Sequence, residues 1–106
     1  MPLFGNREKA FEGMFARGEE TRFRTLAKRN NALGRWAADQ LGLTGDAARA
    51  YADKITRSTV AELIDENLVT EIDDDFRVGG VSGSRDQIRR KMSDLMLVAI
   101  EQMHSK

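Results

Sequence analysis

Residues 21–41, TRFRTLAKRNNALGRWAADQL, form the longest helical pattern in the chain before any breaker. At about 100° per residue, Phe23, Leu26, Ala27, Asn30, Gly34, Ala37 and Leu41 share one face. Leu33 and Trp36 widen it on one side. Two residues on its central line are unusual for a core. Gly34 removes a side chain where a neighbouring helix can approach closely. Asn30 is polar and needs a hydrogen-bond partner if buried, whether it fixes register or serves a binding role. This helix is expected to be the spine against which later helices pack, with Trp36 half-buried at the rim.

Downstream, the same period recurs. Gly42 is placed to cap the first helix in a left-handed conformation. Thr44 is an N-cap candidate, with Asp46 in the first turn. Ala48, Tyr51, Ala52, Ile55, Thr59 and Leu63 form the second stripe. Asp65 can cap a third, shorter helix on which Leu68, Val69, Ile72 and Phe76 face inward and Glu71, Asp73 and Asp74 point elsewhere. Gly79 and Gly80 stop it. Ser84 and Gln87 make an S-x-x-Q capping box for the last helix. Its inward stripe is Ile88, Met92, Leu95, Met96, Ala99 and Met103. Leu97, Val98 and Ile100 lie on its other faces, which makes it either the most buried helix or the carrier of an apolar patch for a partner. The spacing predicts helices over 21–42, 45–64, 66–78 and 84–103 and no strand: an all-α four-helix bundle.

The first nineteen residues differ. Wound as a helix, Phe4, Phe11, Met14 and Phe15 line one face, with Arg7, Lys9, Glu12 and Arg17 at its margins or beyond. Three of the five Phe lie here. Gly5, Gly13 and Gly18 each weaken a helix by about 1 kcal/mol relative to Ala. An anchor stripe with poor autonomous helicity suits a segment that orders against a partner's groove, or one that folds back on its own bundle. The segment is expected to be a mobile extension.

Composition excludes much chemistry. There is no Cys, and the one His, His104, stands near the end, which argues against thiolate chemistry, a His-based metal site or a catalytic dyad. No nucleophile–base pair stands out, so no catalytic residue is assigned. Asp73-Asp74-Asp75 fails the calcium-loop spacing, with Val78 where Gly is needed and Ser84 where Glu is needed, so a solvated face is expected and no metal. The turn Ser82-Gly83-Ser84-Arg85 lacks the phosphate-loop spacing. Backbone N–H groups at the start of a helix can still hold an anion there, which leaves weak adenine-nucleotide binding as a minor alternative to a plain cap. Arg89-Arg90-Lys91 is expected to be an outer, solvated cluster. Net charge is zero but unevenly spread: residues 1–35 carry eight Lys/Arg against four Asp/Glu, and residues 36–84 four against ten. The basic third is too mixed for a nucleic-acid arm and suits an acidic partner. No signal peptide and no membrane-spanning run is visible.

At REKAFEGMFA (7–16) and KRNNALGRWAADQLG (28–42) the chain resembles a known family, the zeta inhibitor subunit of alpha-proteobacterial F-type ATP synthases. The pattern R-E-x-A-F-E-x-x-F-A reads here as Arg7-Glu8, Ala10-Phe11-Glu12 and Phe15-Ala16. R-N-x-x-L-G-x-W-A-A-x-x-L-G reads as Arg29-Asn30, Leu33-Gly34, Trp36-Ala37-Ala38 and Leu41-Gly42. Ala50-Tyr51-Ala52, Ile88-Arg89, Met92 and Asp94-Leu95 also fit, so the resemblance covers nearly the whole chain. Gly13, Arg17-Gly18 and Arg35 depart from it. The resemblance implies a non-enzymatic regulatory subunit without a cofactor, monomeric when free. Residues 1–20 would be a mobile inhibitory segment and residues 21–106 a four-helix bundle. The implied partner is the catalytic head of the synthase, at an α/β interface beside the central stalk, where the segment blocks ATP hydrolysis. That gives a cytoplasmic place at the inner face of the membrane, without insertion. Phe4, Arg7, Glu8, Phe11, Met14 and Phe15 become the implied inhibitory contacts. The other readings are a helical sensor of adenine nucleotides or another anionic metabolite, and a helical adaptor dimerising through Leu97, Val98 and Ile100.

Overall fold

Glycines at the expected stops and apolar stripes at helical spacing produce four helices in the computed structural model, which describes residues 19–60 and 65–104, with side chains for 20–57 and 65–103. They are α1 (Glu19–Gln40), α2 (Gly45–Val60), α3 (Asp65–Val78) and α4 (Arg85–His104), with no strand among the described residues. The chain is a four-helix all-α bundle. α1 packs against α2 and α4, and α3 lies against α4 and α2.

The C-terminal ends of α1 and α3 are closed in the same way. Gly42 (φ +77°) and Gly80 (φ +71°) take the left-handed conformation. The next N–H, of Leu43 or Val81, donates to the carbonyl of Ala38 at 2.9 Å or of Phe76 at 2.8 Å. The glycine N–H donates to Asp39 or Arg77, completing a Schellman closure at each end. The expected cap of α4 is present: the Gln87 N–H donates to Ser84 Oγ at 3.1 Å. The Asp65 carboxylate instead faces Arg29.

The main core joins Leu33 and Ala37 of α1, Ile55 of α2, Leu68, Val69, Ile72 and Phe76 of α3, and Ile88 and Met92 of α4. Burying each of the larger ones contributes about 1.5–3 kcal/mol. A smaller cluster joins Met96 and Ile100 to Leu26. Trp36 is half-buried as expected, its ring tilted against that of Phe76 at 5.7 Å. α1 and α2 meet closely where both lack bulk. A Cβ on Gly34 would stand 2.7 Å from Ala52 Cα and 3.2 Å from both Ala52 O and Ile55 Cβ.

Three expectations about faces are corrected. Phe23 is 53% exposed, and the first half of α1 buries Thr25 and Arg29 instead. Phe23 falls within about 20° of Asn30 around the helix, but periodicity gives direction only. It does not say how far along the axis a neighbour reaches. Asp73, expected to point outward, is 5% exposed, because Arg77 and Arg85 neutralise it from both sides at 2.8 and 3.7 Å. Asp75 is half-buried too, so Asp74 alone of the run has the expected solvated face. Ile100 is 3% exposed inside the smaller cluster, which removes it from any dimer patch with Leu97 and Val98.

Candidate functional site

α3 is the acidic helix, and arginines on either side of it decide how it is held. Arg29 is 4% exposed in the middle of α1. Its Nε donates to Asn30 Oδ1 at 2.9 Å, which answers the need of that buried amide oxygen. Its terminal nitrogens donate to the two Asp65 oxygens at 3.1 and 2.8 Å. This is a bidentate fork across 36 residues of chain, the geometry guanidinium favours with carboxylate. At the next residue of α3, Arg89 of α4 makes the equivalent fork to Glu66 at 2.8 and 2.9 Å and also reaches Asp86 at 2.7 Å. Arg85 donates to Thr70 Oγ1 at 2.7 Å and lies 3.6 Å from Glu66. Between these forks is a cleft of about 240 Å³ floored by Val69, Met92 and Met96.

On the opposite edge of α3, the Tyr51 hydroxyl donates to Asp75 at 2.8 Å and Lys54 Nζ to the same oxygen at 3.1 Å. Burial first, then the bond to Asp75, pushes the Tyr51 phenol well above its ordinary range. Lys54 also lies over the Tyr51 ring and near Glu71. α3 is thus strapped from α1 and α4 on one side and α2 on the other. The arrangement neutralises carboxylates and fixes a helix. It poises none of them for proton transfer.

The Arg89 hydrogen bonds hold the Glu66 carboxyl below its ordinary value of 4.5. A depressed folded-state pKa contributes stability above the unfolded value and loses it as pH falls through the folded one. The bundle is therefore expected to weaken as pH falls through the ordinary Glu range and below it. Glu66→Gln should lose less over that interval than the unaltered chain in thermal melts at matched pH. The pair is solvent-exposed, so added salt should shrink the difference.

The residues singled out from sequence fall in different places. Phe4, Arg7, Glu8, Phe11, Met14 and Phe15 lie outside the described residues, as do Leu63 of the second stripe and the side chain of Thr59. Ser82, Gly83 and Ser84 are exposed around the start of α4, with Ser84 Oγ taken by the cap and Arg85 turned to Thr70 and the carboxylates. Both arrangements favour the capping role over anion binding. Arg89 and Lys91 are not the outer cluster expected. Arg89 is committed to α3, and Lys91 Nζ stands 5.7 Å from the centre of the Trp36 ring. Sequence reasoning missed the Arg29–Asp65 and Arg89–Glu66 forks. The one available signal was a charged Arg29 beside the apolar face of α1.

Among the described residues, no group of three or more His, Cys, Asp or Glu is placed to hold a metal ion. No described helix is long and apolar enough to cross a membrane. In comparison with known proteins, the family model for ATPase inhibitor subunit zeta matches residues 1–102. Neither the curated proteins nor the solved structures yield a match.

Proposed function

The chain belongs to the ATPase inhibitor subunit zeta family, and from that premise we propose that it blocks ATP hydrolysis by the F-type ATP synthase with its N-terminal segment as effector and its bundle as anchor. The family is one of regulatory inhibitor subunits, not of enzymes. The observation that carries the reading is the extent of the match, which takes in both the Phe-bearing segment and all four helices.

The mechanism is a wedge. Phe4, Phe11, Met14 and Phe15 enter an α/β interface of the catalytic head beside the central stalk and order there as a helix, with Arg7 and Glu8 at its margin. An interface that must change shape during hydrolysis cannot do so around a packed aromatic stripe. The bundle supports this division of labour because α1 to α4 supply a large apolar core of their own. Association through the head places the protein peripherally at the inner face of the membrane.

The test is ATP hydrolysis by the cognate synthase with and without the full chain. Hydrolysis should fall with added protein and saturate, while proton-driven synthesis is much less affected. Hydrolysis unchanged at saturating protein would refute the proposal.

A further inference from the structure

Basic residues on α1 that take no part in strapping α3 converge on a groove of about 760 Å³ between α1 and the end of α4. Its floor is small and apolar, from Ala27, Ala32 and Met103, and its rim carries Arg24, Lys28 and Arg35. Among the described residues no carboxylate lines it. Lys28 and Arg35 are exposed, and among the described residues no ion pair holds either of them. Among the described residues, Arg24 makes only the exposed pair with Glu20 one turn away, at 3.2 Å. Like charges four residues apart on one helix face repel slightly, and an acidic occupant would relieve that repulsion.

We infer that this groove docks an acidic amphipathic helix of the synthase head and so sets how tightly the bundle is anchored; the inference rests on the function proposed above. The cations are four and then seven residues apart on one helix, so they span about 16 Å along its axis. An occupant that presents carboxylates at the same four- and seven-residue spacing matches all three, with small apolar residues between them against Ala27 and Ala32. A protein helix fits this shape. A bilayer surface is flat and cannot reach the floor of a concave site. The first eighteen residues of this chain are no match in charge: Arg7, Lys9 and Arg17 outnumber Glu8 and Glu12.

The test compares the full chain with the full-length triple variant Arg24→Glu, Lys28→Glu, Arg35→Glu, and with the milder Arg24→Gln, Lys28→Gln, Arg35→Gln. Binding to the purified catalytic head and inhibition of its hydrolysis are measured at about 50 and about 300 mM salt, since screening weakens charge attraction between exposed groups. At low salt the Glu variant should need at least ten times more protein for half-inhibition, with the Gln variant in between. The gap should narrow at high salt. Maximal inhibition should be unchanged, because the effector is intact, and all three proteins should melt alike. Equal half-inhibition and equal salt dependence would overturn the inference. So would loss of co-sedimentation with phosphatidylglycerol vesicles while binding to the head is kept, which would assign the groove to lipid. Should the unaltered chain bind the head without slowing hydrolysis, the inhibitory reading fails, and the groove is judged by the same tenfold criterion on the binding curves. Should it not bind the head, both fall together.

Discussion

Gly34→Leu is expected to destabilise the bundle by about 1–3 kcal/mol, with the upper end favoured by the geometry. The atom nearest to an added Cβ is Ala52 Cα at 2.7 Å, which is backbone and cannot rotate away. Accommodating even one methyl therefore requires α1 and α2 to separate. Their interface is built for closeness, with Ala37, Ala38 and Ala52 all at most 2% exposed. Separation would strip contacts from Leu33 and Ile55, which are fully buried. The added leucyl carbons gain some burial, but only after the gap opens. Gly34→Ala brings the same Cβ clash with little apolar gain, so it should be destabilising as well. For a domain of this size the melting temperature should fall by about 4–8 °C per kcal/mol. Thermal or urea denaturation reads the effect directly, and a Gly34→Leu variant that melts like the parent would reject the close approach as a constraint.

The second large effect concerns the segment that carries the aromatic stripe. Phe11→Ala together with Phe15→Ala removes two anchors, each worth about 1.5–3 kcal/mol when fully buried. Against this stands an ordering cost of about 2–5 kcal/mol for a segment that folds on binding. Without the two rings the balance turns unfavourable, so the concentration for half-inhibition should rise at least about a hundredfold. Gly13→Ala should act in the opposite direction. It lowers the cost of the bound helix by about 1 kcal/mol and should make inhibition about fivefold tighter. Opposite shifts from substitutions two residues apart would be hard to reconcile with a purely structural role for the segment. Titration of hydrolysis by each variant decides this, and two inhibition curves that overlay the parent's would contradict it.

Local signals and long-range ones differed in how far the sequence exposed them. Helix ends were legible, because Gly42, Gly80 and Ser84 close or open helices through residues only a few positions away. So was the Gly34 contact, since a missing side chain on a core line has few other uses. The buried role of Asp73 was not legible. It depends on Arg85 in another helix arriving at 3.7 Å as well as on Arg77 in its own. The same holds for Arg29, whose partner Asp65 lies 36 positions away and whose burial contradicts its charge until that partner is known. Amphipathic patterning marks apolar faces and misreads charged residues that are neutralised across helices. The proposed inhibitory contacts rest on the resemblance of the 7–16 stretch and on the Phe stripe around it. No property of Phe11 or Phe15 alone distinguishes an effector anchor from a core side chain.

That distinction is also what the account depends on. The most direct measurement compares the full chain with residues 19–106, recording both the melting temperature and ATP hydrolysis by the cognate synthase. The account predicts that the shortened protein melts within a few degrees of the full chain, since α1 to α4 retain both apolar clusters, and that it no longer inhibits at any concentration tested. A shortened protein that unfolds would place the aromatic stripe in the bundle's own core, and one that inhibits as well as the full chain would move the effector into the helices.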